Sequence, residues 1–339
     1  MSRSLLVIGA GNIFQNNHYP VLKELNAEVV AVVEPSAFVV NQLIALLPEG
    51  VKYYNNLTDV DFTGITHALI ATPAGLHYDA AKFLADKNVH VLCEKPITIN
   101  TAQAKELQQL YTGKVLQIGF QRRFMATSIK IKEFIENKTY GNLSHINIWA
   151  GWVAKGNLPQ SILNKQLSGG GISLDYGIHF VDLMLYWSKG LELEQYLDDS
   201  QGGIEVNSVT FAKLKFGGVV NAGLKMYQSW TNQMANSIQL YFDDALIAIG
   251  VNTPTSIQVV KINNQLTDIR FAFKTEVIDL TEEVGTDALT LQWQEFFARS
   301  EGKLDEAKAV SSLADAVAAV EFVENCYNNK QQLDLNWGV

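Results

Sequence analysis

Four apolar residues in a row, Leu5-Leu6-Val7-Ile8, run directly into Gly9-Ala10-Gly11, and a helical stretch through Leu22 and Leu25 follows. A strand that is apolar at every position is buried on both faces, as in a parallel sheet covered by helices. Glycine just after such a strand allows a tight turn and lets the backbone approach a ligand closely. The helix that opens there carries partial positive charge at its N-terminus and attracts phosphate. This short segment constrains the whole first third of the chain.

The pattern then repeats. Val29 to Val33, Ala68 to Ala71, Val89 to Leu92 and Val115 to Ile118 read as further apolar strands. Phe38 to Leu47, Tyr78 to Leu84 and about Thr101 to Leu110 read as the helices between them. Strand–helix alternation predicts an α/β doubly wound parallel sheet, a Rossmann domain over residues 1–121. After about residue 122 the rhythm changes. A helix (Ile129 to Glu136) and a strand (Ser144 to Trp149) precede a loop with Pro159 and a triple glycine, and a helix from Leu174 to Trp187 follows. Val209 to Phe216, Val219 to Met226, Ile238 to Phe242 and Ile257 to Ile262 read as strands, with Gly217-Gly218 and Asp243-Asp244 as hairpin turns. A second α/β domain with antiparallel strands is expected over 122–339. Two amphipathic helices, Leu289 to Arg299 and Val310 to Asn325, end it and are expected to be structural.

Bulk composition narrows the partners. A net charge of −9 argues against nucleic acid and anionic membranes, which need a basic face. Cys93 and Cys326 have no CxxC spacing and suggest neither a disulfide framework nor a zinc site. The apolar start is broken by Gly9 and Gly11 and is too short for a signal peptide, and no stretch approaches membrane-spanning length. The expectation is a cytoplasmic protein acting on a small molecule.

Glu34 follows the second strand at about the interval where an acid meets the adenosine ribose hydroxyls of a dinucleotide. A carboxylate there repels the extra phosphate of NADP, and no arginine follows within several residues, so NAD is favoured over NADP. The bland alternative makes Gly9 and Gly11 a mere turn and Glu34 a solvated charge. The third fingerprint position, normally small, is Phe14. Either the helix is displaced there, or the ring points away and the pyrophosphate sits differently, with weak cofactor binding as the consequence.

Two further elements carry chemistry. The strand at Val91-Leu92-Cys93 runs into Glu94-Lys95-Pro96, which places Lys95 at the carboxyl end of a parallel strand, where ligands gather. A lysine there can stabilise negative charge developing on a substrate oxygen, and a cis Lys95–Pro96 bond suits the site. In Gly169 to Asp182, helical spacing puts Asp175, His179 and Asp182 on one polar stripe beside the apolar stripe of Leu174, Ile178, Val181 and Leu185. His179 suits acid/base work because imidazole titrates near neutral pH. Two other readings remain: a buried histidine satisfied by Asp175 or Asp182, and a metal held by two carboxylates and one imidazole. Hydride chemistry beside a dinucleotide needs no ion, and no metal is expected. Trp149, Trp152 and Tyr227 to Trp230 are either sugar-stacking or packing aromatics.

Taken together, these segments resemble the Gfo/Idh/MocA oxidoreductase family, which includes glucose–fructose oxidoreductase and inositol 2-dehydrogenase. The resemblance runs over essentially the whole chain through GAGNIFQNNHYPVL (9–22), TPAGLH (72–77), CEKP (93–96), GFQRRF (119–124) and GGGISLDYGIHFVD (169–182). It implies a Rossmann domain followed by an α/β domain with a large, mostly antiparallel sheet, often the interface of a homodimer or homotetramer. It implies Lys95, Asp175 and His179 as the catalytic trio. Alongside Gly9, Gly11, Asn12, Ile13 and Glu34, it implies cofactor contacts from Thr72, Pro73, His77, Glu94 and Gln121. The expected reaction is hydride transfer between NAD and a secondary alcohol or ketone of a sugar, polyol or related molecule. An NAD-dependent glycosidase of the same family and a non-catalytic dinucleotide- or sugar-sensing protein are the alternatives. Pocket specificity is expected in the loops around 150–168 and 225–235.

Overall fold

The computed structural model describes residues 3–155, 158–200, 204–253, 255–261, 274–281, 287–305 and 308–333. The chain forms two compact units. The first comprises Met1–Gln121, Gln166–Gly169 and Leu289–Val320, and the second Arg122–Lys165, Gly170–Ala288 and Glu321–Val339. Residues 289–320, expected within the domain that begins at residue 122, group with the first unit.

The first unit is a six-stranded parallel sheet of β1 (Ser4–Ile8), β2 (Glu28–Val33), β3 (Lys52–Tyr54), β4 (His67–Ile70), β5 (His90–Cys93) and β6 (Leu116–Ile118), in the order β3-β2-β1-β4-β5-β6. Helices α1 (Tyr19–Glu24), α2 (Ala37–Leu46), α3 (His77–Ala85) and α4 (Thr101–Leu110) connect the strands. Helix starts are set by short polar side chains: Ser36 accepts the Val39 N–H at 3.4 Å and Asn100 accepts the Gln103 N–H at 3.0 Å. Strand order reverses at β1 and β4, the switch point where such sheets bind ligands. β3 escaped the sequence reading because it is a three-residue edge strand without a buried apolar run.

One face of this sheet is covered from far along the sequence. Trp293, Phe296 and Phe297, spaced on one helical face, join Leu5, Val7, Leu69 and Leu92 in a single buried cluster. Residues 289–297 belong with the Rossmann sheet because this apolar face needs them.

The remaining elements follow in chain order: α5 (Ala126–Glu136), β7 (Leu143–Gly151), the one-turn helices α6 (Gln160–Leu163) and α7 (Lys165–Ser168), α8 (Ile178–Ser188), and strands β8 (Leu191–Asp198), β9 (Asn207–Phe216), β10 (Val219–Ser229), β11 (Ser237–Phe242), β12 (Ala245–Gly250), β13 (Ser256–Lys261) and β14 (Lys274–Asp279). α9 (Ala288–Ser300), α10 (Leu313–Asn328) and β15 (Lys330–Gln332) end the described chain. The second unit is built on a nine-stranded sheet ordered β14-β13-β12-β11-β7-β10-β9-β8-β15. Its pairs are antiparallel except β7–β10 and β8–β15. Strict alternation buries Ile146, Ile148, Leu224, Met226, Ala212 and Leu214 on one face, while Trp149, Phe211, Lys225 and Tyr227 stay half-buried on the other. Of the expected strand Ile257 to Ile262 and the expected loop 150–168, Ile262, Gly156 and Asn157 lie outside the described residues.

The packing of α9 makes a pH prediction. His67 is 3% exposed, with its ring nitrogens 2.8 and 2.9 Å from the hydroxyls of Thr66 and Ser300 and its ring edge-on to Phe296 and Phe297. Burial, aided by the charges of His90 and Arg3 and opposed by Glu301, pushes its pKa down to about 4. The unfolded chain takes up this proton near the ordinary value of 6.5, and the folded chain only near 4. Stability is therefore complete above pH 6.5 and falls as pH drops towards 4, by roughly 3 kcal/mol. Urea midpoints at pH 7, 5.5 and 4 will show this decline in the wild type and a flatter one in His67→Gln.

Candidate active site

In the first unit the glycine turn has the conformation its sequence requires. Gly9 has φ +78°, and a Cβ there would stand 2.8 Å from both Cγ2 and the backbone nitrogen of Thr72. In front of Gly11 there is open space, with nothing within 4 Å of an added Cβ. Asn12 and Ile13 are exposed beside it. Phe14 is fully buried, 5.8 Å from the Tyr19 ring and packed among Leu5, Leu22 and Leu69. The helix opens with a wide π turn over Phe14–His18, which accommodates the large side chain inside the core. The ring faces inward and leaves the groove clear.

Glu34 closes the other side of this crevice. Its Oε2 accepts the Ala10 N–H at 3.1 Å and its Oε1 the Ser36 N–H at 2.9 Å, so the carboxylate is fixed at the end of β2. The buried Thr72 hydroxyl has no hydrogen-bond partner among the described residues, and Pro73 beside it is half-buried. An open glycine backbone, a fixed acid and an orphaned hydroxyl suit the phosphates and ribose of a dinucleotide.

The ends of β4 and β5 are tied together by His77. It is 1% exposed, and its ring nitrogens lie 2.7 and 2.8 Å from the carbonyl oxygens of Pro96 and Thr72. Burial holds its pKa below the ordinary histidine value, although both carbonyls and Glu94 pull it up. A neutral imidazole has one N–H to donate, so the buried ring ties one of these loops by a hydrogen bond and packs against the other. The Lys95–Pro96 peptide is cis, and Lys95 is half-buried just beyond β5. Glu94 accepts the Lys95 N–H at 3.2 Å and lies 3.0 Å from His18 Nε2. Burial raises the Glu94 pKa, but the hydrogen bond with His18, together with Lys95, outweighs it and holds the carboxyl below its usual range. Gln121 is half-buried at the end of the unit.

In the second unit Gly170 and Gly171 lead into another wide π turn, Ser173–Gly177, and then α8. A Cβ on Gly171 would fall 1.9 Å from the Glu205 carbonyl oxygen, and one on Gly170 2.2 Å from the Tyr327 hydroxyl. Glycine is required at both. The Glu205 carboxylate accepts N–H groups of Gly171 and Ser173, both at 2.9 Å, and the Tyr327 hydroxyl at 2.9 Å. Burial raises its pKa above the ordinary carboxyl value despite these donors. Asp175 and His179 are both half-buried along the segment so anchored, with Tyr176 between them edge-on to Trp152 at 5.1 Å. Asp182 leaves the expected stripe and turns inward. Among the described residues, no group of three or more His, Cys, Asp or Glu side chains is placed to hold a metal ion.

Comparison with known proteins adds to this geometry. The family model described as "Oxidoreductase family, NAD-binding Rossmann fold" matches residues 3–120, and the GFO/IDH/MocA C-terminal domain matches residues 128–248. The chain belongs to the GFO/IDH/MocA oxidoreductase family. Its similar relatives include the rhizopine catabolism protein MocA of Rhizobium meliloti, 29% identical over 55% of this chain and 57% of that protein. The D-glucoside 3-dehydrogenase of Escherichia coli is 29% identical over 34% of each chain, and the myo-inositol 2-dehydrogenase of Thermotoga maritima 28% over 41% of each. The matched stretches thus span about half or less of these relatives. Among solved structures, an aldose-aldose oxidoreductase of Caulobacter crescentus complexed with glycerol superposes with a TM-score of 0.78 at 16% identity, covering 97% of both chains. A 3-ketoreductase of Actinomadura kijaniata in complex with NADP gives a TM-score of 0.79 at 15% identity, covering 98% of this chain and 99% of that one. These superpositions confirm the two-part fold.

Sequence reasoning missed two residues of this GFO/IDH/MocA member that hydrogen-bond these segments: His18, which meets Glu94, and Glu205, which accepts from the glycine loop. Each is distant in sequence from the group it holds, so no local spacing announced it. Asp182 has a different role. Its carboxylate takes Nε and Nη2 of Arg123 at 2.8 and 2.7 Å, with both side chains at most 2% exposed. Removing one partner leaves the other charge buried alone. Asp182→Ala is expected to lose about 3–5 kcal/mol of stability in urea unfolding, whereas Arg123→Met with Asp182→Leu loses much less.

Proposed function

We propose that the chain is an NAD-dependent oxidoreductase acting on a secondary alcohol or ketone of a sugar, a polyol or a related small molecule. The observation that carries the cofactor choice is the Glu34 carboxylate, held by the Ala10 and Ser36 N–H groups. An acid fixed there accepts ribose hydroxyls and repels a 2′-phosphate. Gly9, Gly11, Asn12 and Ile13 would hold the pyrophosphate, Glu34 the adenosine ribose, and Thr72, Pro73, His77, Glu94 and Gln121 the remainder. A bound nicotinamide supplies the hydride acceptor or donor.

Lys95, Asp175 and His179 form the catalytic set in this reading. His179 exchanges the proton of the reacting hydroxyl, while the Lys95 ammonium and Asp175 hold the oxygen as its charge changes. The names of the relatives, a glucoside dehydrogenase and an inositol dehydrogenase, support the substrate class. The sensing alternative rested on Phe14, and the burial of that ring removes its support. Mass spectrometry of the copurified nucleotide, followed by a polyol and sugar screen for nicotinamide reduction, tests the proposal. His179→Ala and Lys95→Ala are expected to cost roughly 10²–10⁴-fold in turnover while NADH binding persists. Full activity in either variant refutes the assignment of the set, and preference for NADPH refutes the role of Glu34. Release of free sugar without net NADH would mark the glycosidase.

A homo-oligomer also fits. The half-buried face of the nine-stranded sheet carries Trp149, Phe211, Lys225 and Tyr227 around a cavity of about 740 Å³, and large aromatic patches of this kind mark protein interfaces. Trp149→Glu with Tyr227→Glu is expected to reduce the mass seen by light scattering to that of one protomer, and an unchanged mass rejects this face.

A further inference from the structure

Trp293 is fully buried on α9, and its indole Nε1–H points at Nδ1 of His18 from 3.0 Å. An indole nitrogen only donates. Nδ1 of His18 therefore accepts and carries no proton. The other ring nitrogen, Nε2, lies 3.0 Å from Oε1 of Glu94, and a carboxylate only accepts. The single proton of a neutral His18 thus sits on Nε2 and is donated to Glu94. The separation is that of a salt bridge, yet the contact is an ion pair only if the ring is doubly protonated, and the indole opposes that.

The Glu94 carboxylate is confined on further sides. Oε2 accepts the Lys95 N–H at 3.2 Å, and a Cβ on Gly119 would lie 2.9–3.1 Å from the carboxyl group. What remains is its 19% exposed surface. We propose that Trp293 and His18 are positioning residues: together they lock His18 as the neutral Nε2–H tautomer, which holds Glu94 in one orientation as an acceptor for hydroxyl or amide donors of the bound dinucleotide. The role of Glu94 towards the cofactor rests on the NAD reading above; the tautomer does not.

Trp293→Phe keeps an aromatic ring in the core and deletes only the donor. Long-range proton–nitrogen NMR of the imidazoles reads the tautomer directly, with His18→Gln identifying the signal. The wild type is expected to show His18 protonated on Nε2 and bare on Nδ1. In Trp293→Phe this tautomer preference should be lost, and NADH affinity should weaken by about tenfold as the hydrogen-bond geometry at Glu94 is lost. His18→Gln supplies an amide oxygen for the indole and an amide N–H for Glu94, so it should keep near wild-type NADH affinity where His18→Leu does not. Melting curves exclude variants that fail to fold, and His18→Gln carries the test if Trp293→Phe is among them. A proton on Nδ1 in the wild type, or a Trp293→Phe enzyme that keeps the Nε2–H tautomer and binds NADH as tightly as its parent, overturns the proposal. A wild type that binds neither NADH nor NADPH overturns the NAD reading instead, and the ring signals still decide the tautomer.

Discussion

The backbone of Gly9 lies so close to Thr72 that no side chain fits between them, and the cofactor side of the molecule follows from that approach. β1 and β4 are neighbours in the sheet, and at their carboxyl ends the turn after one strand presses on the loop after the other. The left-handed conformation of Gly9 sends the chain past Thr72 and brings the Ala10 N–H to Glu34. Gly11 then faces open space. A side chain at residue 9 would push the two strand ends apart and displace the groove at its base. The dinucleotide crevice is thus a consequence of packing before it is a matter of recognition.

A second regularity concerns acids. Glu34, Glu94 and Glu205 each sit at the edge of a functional segment and accept backbone N–H groups: Ala10 and Ser36, Lys95, and Gly171 with Ser173. Glu295 does the same for Val310 and Ser311 in the segment beyond α9. A carboxylate has lone pairs enough for two or three donors, so one residue can fix both its own position and the course of a loop. The arrangement turns irregular backbone, which lacks ladder partners, into a rigid support. It also explains why Gly170 and Gly171 are glycines. The loop must press against Glu205 and Tyr327 to deliver its N–H groups, and Cβ atoms would hold it away.

Much of this was legible in the sequence where the signal is local. The apolar runs of β1, β2, β4 and β5, the glycine turn and the Glu-Lys-Pro strand end all announce themselves within a few residues. The failures have a common cause. β8 alternates Leu and Glu as a strand should, but its polar half masks a run too charged to read as buried. α9 reads as an ordinary amphipathic helix, and nothing in residues 288–300 states which sheet its Trp293, Phe296 and Phe297 will cover. Asp182 has the right spacing for a polar stripe, yet Arg123, some sixty residues earlier in the chain, draws it inward. Long-range partners carry no periodicity.

The two wide turns show how a local irregularity serves both kinds of demand. A π turn inserts one residue into a helix and rotates everything beyond it relative to an unbroken α-helix. At Phe14–His18 both end residues are buried, so a bulky ring at a position normally kept small coexists with an open groove, and His18 faces Glu94. At Ser173–Gly177 the same device falls within the segment carrying Asp175, directly before α8 with His179. An uninterrupted helix through either region would set these side chains at different angles. Phe14, read from the sequence as a threat to the groove, is therefore compatible with it because its ring is buried in the core beneath the turn.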